Sequence, residues 1–155
     1  MKWDKQLNIK QLDETIEPYK GLVSVAVPTD GWINAVRTAL GMSARTLGER
    51  IGLSQPRVAL IEKGEVEGTI SLKTLEKAAQ GLGCRVVIAL LPEEGTLQNM
   101  RENQALKKAR QINQYTESHM ALEDQETEDN FKQQSIDHLA SEFLRTWPRN
   151  FWDDI

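Results

Sequence analysis

Residues 43–63 read SARTLGERIGLSQPRVALIEK, and this stretch decides the fold. Ser43 and Ser54 each stand where a helix N-cap is favoured, and Gly52 stands where a left-handed residue would end the first helix. Apolar residues that would pack the two helices together recur at helical spacing: Leu47, Ile51, Val58 and Ile61. The pattern predicts two short helices joined by a tight turn.

Further helices are predicted over residues 3–17, 32–40 and 72–81. Thr29 or Asp30 is the expected N-cap of the second of these. Gly64 is expected to end the helix that follows Ser54 and to leave residues 65–69 as a polar loop. The predicted fold class is therefore mainly α, a helix-turn-helix bundle with a helical C-terminal extension.

One β-strand is predicted in this helical chain, over residues 85–91 (RVVIALL), which Pro92 closes. A lone strand cannot satisfy its own edges, so we expect it to pair with its counterpart in a second copy of the chain. The expected dimer interface consists of Arg85, Val86, Val87, Ile88, Ala89 and Leu90. An intrachain ribbon with residues 22–27 (LVSVAV) is the alternative.

The predicted organisation is an N-terminal helical extension (1–30), a helix-turn-helix domain (31–92) and an acidic helical extension (93–155). The formal net charge is −4, but it is unevenly spread. Residues 31–64 carry five basic and two acidic residues, whereas residues 93–155 carry seven basic and thirteen acidic ones. A locally basic patch is compatible with binding a phosphate backbone, which the average charge conceals.

The exposed start of the second helix of the pair has the chemistry that reads DNA bases. Glutamine bonds adenine, arginine bonds guanine, and an apolar side chain contacts the thymine methyl group. The predicted base-reading residues are Ser54, Gln55, Pro56, Arg57 and Leu60, and the predicted phosphate contacts are Arg37, Ser43, Arg45 and Lys63. A plain helical module with a solvated polar face is the alternative interpretation.

The motifs LGMS (40–43), LG (47–48), IGLSQPRV (51–58) and IEKG (61–64) resemble the Xre (phage repressor/Cro-type) helix-turn-helix family. The resemblance implies double-stranded DNA as the partner. Since one such helix offers few base contacts, we also expect binding as a homodimer to an inverted repeat with half-sites about one helical turn apart. Ala44 stands where that family often has glutamine, so an amide contact to phosphate is missing and Arg45 is expected to replace it.

A narrower resemblance is to the family called mobile mystery protein A. It rests on GWI (31–33) with Arg37, ALGMS (39–43), SLKTL (71–75), AA (78–79), LGC (82–84) and HMALEDQ (119–125). That bacterial family is carried on mobile elements and is typically encoded beside a Fic-domain protein. The resemblance implies a transcriptional regulator, a repressor of its own operon with an antitoxin-like role.

Direct inhibition of a Fic-domain toxin is the alternative function. No Ser or Thr in the chain is followed four residues later by Glu and then by Gly or Asn, which is the pattern many Fic inhibitors use. The aromatic residues Trp147, Phe151 and Trp152 are a candidate surface for such a partner, since exposed aromatics are enriched at interfaces. Packing onto the protein's own helices is the other interpretation of the same residues.

Other function classes find little support in the sequence. His119 and Glu123 lie four residues apart, but with His138 as the only other histidine they do not assemble a zinc site or a catalytic triad. No enzymatic activity, metal or cofactor is expected. The chain has one cysteine, no apolar run of the ~20 residues that a bilayer requires and no signal-peptide pattern, so a cytoplasmic location without membrane contact is expected.

Overall fold

The structure, a computed structural model, describes residues 2–122 and 128–154. The chain divides into two compact units. One is the continuous segment Gly21–Ala89, and the other combines Met1–Lys20 with Leu90–Ile155. Within the described residues every regular element is a helix, so the prediction of a mainly α fold is confirmed.

The unit Gly21–Ala89 holds four short α-helices. Their bounds are α2 Trp32–Ala39, α3 Ala44–Ile51, α4 Gln55–Glu67 and α5 Leu72–Gly81. They share one core of buried side chains, namely Ile33, Leu47, Ile51, Val58, Ala78 and Leu82. Ile61, predicted to be buried with them, is only partly covered and packs on the edge of this core.

Gly64 does not end α4, contrary to the prediction. The helix continues to Glu67, and Gly68, at φ 71°, ends it. Glycine is required at position 64, inside the helix, because a Cβ there would collide with the side chain of Ile70. In the sequence, a glycine that is required for a close approach to Ile70 looks the same as a glycine that ends a helix. Residues 65–67 therefore belong to α4 and not to a loop.

The second unit is built from three longer elements. They are α1 Lys2–Ile16, α6 Leu97–Leu122 and α7 Asp129–Thr146. A 3₁₀ helix, Glu17–Ser24, follows α1 and begins in this unit but ends in the unit that starts at Gly21. The buried residues at the centre of the α6–α7 pair are mostly small: Ala105, Ala109, Ala140 and Phe151. Alanines on facing helices allow their backbones to approach closely, and the ring of Phe151 is buried in the same cluster.

Asp13 of α1 caps the start of α6. Its carboxylate accepts hydrogen bonds from the backbone N–H groups of Leu97 (2.8 Å) and Gln98 (3.2 Å). Two of the unpaired donors at the start of a helix are thereby satisfied by a negative charge, which the helix dipole also favours. Helix α1 is therefore attached to α6 by a specific polar contact.

The predicted strand over residues 85–91 is wrong. In the described residues this segment is irregular, and its N–H groups make no ladder bonds. The alternative ribbon is not formed either, because the 3₁₀ helix Glu17–Ser24 takes up part of residues 22–27. A β-branched sequence adopts ladder geometry only when a second strand satisfies its edge, and the single chain supplies none.

Candidate nucleic-acid interface

The turn between α3 and α4 is fixed by three short-range features. The Ser43 hydroxyl accepts a hydrogen bond from Thr46 N at 3.0 Å, which confirms the predicted N-cap. Gly52 has φ 72° and ψ 31°, the left-handed conformation expected there. A Cβ at Gly48 would collide with the carbonyl oxygen of Leu53, so the chain can turn back tightly only with glycine at this position. These constraints fix the direction in which α4 leaves the turn.

The start of α4 projects away from the core. All of the predicted base-reading residues are exposed: Ser54, Gln55, Pro56, Arg57 and Leu60. Val58, between them, is 1% exposed and anchors the helix in the core. Ser54 occupies the N-cap position, but its side chain makes no capping bond. Leu60 is 61% exposed, an apolar side chain without cover in this unit.

Two of the predicted phosphate-binding cations lie at the surface. Arg45 pairs with Glu49 at 3.1 Å and Lys63 with Glu67 at 3.6 Å, each one helical turn apart. The side chains of both cations are at least 70% exposed, so these pairs contribute little and can be exchanged for a phosphate. The hydroxyl of Ser43, predicted as a third phosphate contact, is engaged in the α3 cap.

Arg37 lies elsewhere, in a partly buried ion pair with Glu62 of α4. Its Nε is 2.5 Å from Glu62 Oε1 and its second terminal nitrogen is 3.2 Å from Oε2. The remaining terminal nitrogen donates to the carbonyl of Met42 at 2.9 Å, and both charged side chains are 13% exposed. The guanidinium is thus held inside the unit, in contrast to the phosphate contact predicted for it.

The pair shifts the titration of both partners. Burial opposes ionisation of Glu62, but hydrogen bonds from Arg37 and Asn34 outweigh it and keep the pKa of Glu62 below its usual value. The hydrogen bond to Glu62 raises the pKa of Arg37. The pair is therefore fully ionised at neutral pH and ties α2 to α4.

A second carboxylate joins the same two helices. Glu65, one turn beyond Glu62, accepts hydrogen bonds from the backbone N–H groups of Trp32 and Ile33, the latter at 2.9 Å. Helix α2 has Gly31 at its N-cap and no side-chain cap of its own, so neither Thr29 nor Asp30 has the predicted capping role. Sequence reasoning missed this contact because it assigned residue 65 to a loop.

The charge balance of this unit favours an anionic ligand. Residues 21–89 carry eight basic and six acidic residues, whereas the rest of the chain carries eleven and seventeen. Glu62 and Glu65 are neutralised by Arg37 and by the α2 N-terminus. Arg57 has no acidic partner among the described residues. Positive charge is therefore available at the start of α4.

The predicted dimer segment borders an apolar groove of about 390 Å³. The walls come from α2, α5 and the segment after α5, and include Trp32, Val36, Leu75, Leu82, Val86 and Val87. Val87, Ile88 and Leu90 are 63%, 60% and 88% exposed. Apolar side chains of this size at the surface are typical of a protein contact.

The aromatic residues near the C-terminal end do not form one exposed surface. Phe151 is 1% exposed and belongs to the α6–α7 core, so it packs onto the protein's own helices, which is the alternative interpretation of this residue. Trp147 is half-buried, with the Arg101 guanidinium 3.7 Å from its ring centre. Trp152 packs edge-on against Phe151 and stays 55% exposed. Of these three aromatic residues, only Trp152 is exposed enough to contact a partner protein.

Buried cations hold this C-terminal segment. Arg101 and Lys108 of α6 are each 3% exposed. Arg101 donates to the carbonyl of Leu144, and Lys108 donates to those of Asn150 and Asp153. The Leu144 carbonyl lies in the last turn of α7, where carbonyls carry partial negative charge, and those of Asn150 and Asp153 lie in the segment after the helix. Burial lowers the pKa of Arg101.

His119 stacks edge-on with Tyr115 at 4.5 Å between ring centres, and its suggested companion Glu123 lies outside the described residues. Among residues 2–122 and 128–154, no three His, Cys, Asp or Glu side chains converge as a metal site would require. In the same ranges, no helix combines the length and apolar character needed to cross a bilayer.

The sequence profile of a helix-turn-helix family matches residues 33–88, which include α2 from its second residue onward and all of α3, α4 and α5. These residues therefore form a helix-turn-helix domain, as the Xre-type resemblance predicted, and the match supports a DNA-binding regulator. No curated protein and no solved structure matches the chain significantly. The match ends before residues 119–125, where part of the narrower resemblance lies and where residues 123–125 are not described.

Proposed function

We propose that this chain is a sequence-specific DNA-binding transcriptional regulator that uses α4 to read bases in the major groove. The observation that carries the proposal is the exposed start of α4 within a matched helix-turn-helix domain. Gln55 and Arg57 can each form two hydrogen bonds to a purine edge, and Leu60 can contact a thymine methyl group. The same helix is anchored in the core by Val58.

Backbone contacts complete this proposed mode of binding. Arg45 and Lys63 lie on either side of the base-reading residues in the sequence, and their exchangeable surface pairs allow them to turn to phosphates. Ser43 contributes through the start of α3, whose free N–H groups attract an anion. Arg37 acts through Glu62 instead of touching DNA.

Binding as a homodimer to an inverted repeat is part of the proposal. A single short helix offers few base contacts, and two half-sites about one helical turn apart supply the missing affinity. We place the dimer contact at residues 85–90, because their backbone makes no ladder bonds and their apolar side chains are exposed. Pairing with a second copy would give this segment the strand partner that the single chain lacks.

Repression of its own operon, with an antitoxin-like role in the cytoplasm, is the biological setting that we propose. It rests on the resemblance to mobile mystery protein A. A Fic-domain gene next to this one would support it.

The proposal is tested by selecting duplexes from a random-sequence library with the full chain. Recovery of an inverted repeat, followed by mobility-shift titration against a shuffled duplex, would support it. Equal affinity for the selected and shuffled duplexes would contradict it.

Direct binding of a Fic-domain protein is the second candidate function. It is favoured by the exposed indole of Trp152 beside the acidic Asp153 and Asp154. Co-purification of the two proteins, with loss of the complex in Trp152→Ala, would support it. A complex that is unchanged in this variant would remove Trp152 from the contact.

A further inference from the structure

We propose that Glu65 is a positioning residue for base recognition, a role that rests on the proposed DNA binding by α4. Its carboxylate is the only described side-chain contact to the first N–H groups of α2, and it comes from the end of α4 opposite to the base-reading residues. Through it, the far end of α4 is fixed to α2. This link between Glu65 and α2 would set the angle at which α4 enters the major groove of DNA.

A small change in the angle of α4 would displace the base-reading residues at its start. Gln55 lies ten residues before Glu65 and three residues before the core residue Val58, which correspond to about 15 Å and about 4.5 Å along a helix. When Glu65 is released, Val58 and the Arg37–Glu62 pair still hold the middle of α4, so the helix would pivot there. A rotation of roughly 10° about Val58 would move Gln55 by about 0.8 Å. Hydrogen bonds to base edges tolerate only a few tenths of an ångström. A small release at Glu65 would therefore break base contacts, whereas mobile phosphate contacts could follow.

The backbone next to Glu65 fits this contact. Gly31 has φ 84°, and a Cβ at this position would lie on top of the Glu65 carboxylate. A glycine is thus required both for the backbone conformation and for the space that the carboxylate occupies. The N-terminus of α2 is therefore capped by a side chain of α4 and not by a side chain of its own N-cap residue.

Removing the charge of Glu65 would also have a purely electrostatic effect on DNA binding, and that effect is opposite to the one that the positioning role predicts. A carboxylate in a DNA-binding unit repels phosphates, so a neutral substitute would tighten binding to any duplex. Under our proposal, Glu65→Gln instead weakens binding to the preferred sequence while leaving binding to other sequences equal or slightly tighter. The two effects differ in sign, which makes the experiment decisive.

The chain offers matched controls for two test variants. Glu65→Gln removes the charge but keeps one acceptor oxygen, and Glu76→Gln removes the same charge from an exposed position on α5. Gly31→Ala displaces the carboxylate without changing charge. Gly41→Ala introduces alanine at another positive φ, 66°, where a Cβ would meet no atom within 4 Å.

The experiment measures anisotropy titrations of all four variants on the duplex selected by the wild type and on a shuffled duplex. Circular dichroism checks that each variant is folded at the assay temperature. We expect both test variants to lower the ratio of the two affinities about tenfold, the loss of roughly one base contact, and both controls to keep it. If Gly31→Ala unfolds, Glu65→Gln against Glu76→Gln decides alone.

Two results would overturn the inference. One is an affinity ratio in the test variants equal to that of their controls. The other is a parallel loss of affinity for both duplexes, which would indicate general damage to the domain. A wild type that shows no preference for any duplex would instead overturn the proposed function, and this inference with it.

Discussion

Arg37 of α2 and Glu62 of α4 form a partly buried ion pair, with 2.5 Å between Nε and Oε1. Arg37, which the sequence predicted to contact phosphate, instead forms a structural link between α2 and α4. Removing one partner leaves the other charge in a poorly solvated position, which is costly. Stability and DNA affinity should therefore respond differently at Arg37 and Arg45.

Arg37→Met should lower the free energy of unfolding by about 3 kcal/mol, because Glu62 loses its partner. Arg45→Ala should change it by less than about 0.5 kcal/mol, since that pair is exposed. Urea unfolding measures both. On DNA, Arg45→Ala should reduce the salt dependence by about one phosphate contact and Arg37→Met should not. A fully stable Arg37→Met with a reduced salt dependence would restore Arg37 as a phosphate ligand.

The stability of the Gly21–Ala89 unit should fall in acid through Glu62. Its pKa is below the usual value of 4.5 in the folded chain, so its contribution is complete above the unfolded-state pKa. That contribution is lost as the pH falls through the lower folded-state pKa. Glu62→Gln should therefore lose less stability than the wild type on acidification. Identical pH profiles from urea unfolding would refute this assignment.

The C-terminal segment should be required for the stability of the unit that contains α6 and α7. Phe151→Ala should cost about 3–5 kcal/mol, because it empties a fully buried position between the two helices. Trp152→Ala should cost about 1 kcal/mol, mainly the loss of its edge contact with Phe151. Equal losses in chemical denaturation would show that Phe151 is not part of this core.

Dimerisation should depend on the backbone of residues 85–90. Ile88→Pro removes one N–H from the proposed ladder, but no helix of the chain contains this residue. Sedimentation of the variant should show a folded monomer where the wild type is a dimer. A variant that still dimerises with full affinity would move the interface to another surface, and a monomeric wild type would remove the dimer altogether.

Local signals in the sequence were sufficient to predict the helix-turn-helix. Ser43 and Gly52 act through bonds and dihedral angles within four residues, so their chemistry is visible in the chain itself. Gly64 shows the limit, because a glycine required for a close approach to Ile70 has the same appearance as a helix stop. Local patterns do not distinguish the two.

Contacts between distant residues could not be predicted from local sequence patterns. Glu65 meets the start of α2 more than thirty residues away, and Phe151 fills a core formed by α6 and α7. Neither residue carries a pattern that names its partner. The exposed face of α4 could be predicted because it depends only on which residues of one helix face the core.

The base-reading role of α4 is tested most directly by mobility-shift titration of Gln55→Ala and Arg57→Ala on the duplex selected by the wild type. Each substitution should weaken binding by about 1–3 kcal/mol and relax the preference at one base pair, while binding to a shuffled duplex changes less. Gln55→Ala carries no charge change, so its effect cannot come from phosphate attraction. If both variants bind the selected duplex as tightly as the wild type does, α4 is not the recognition helix.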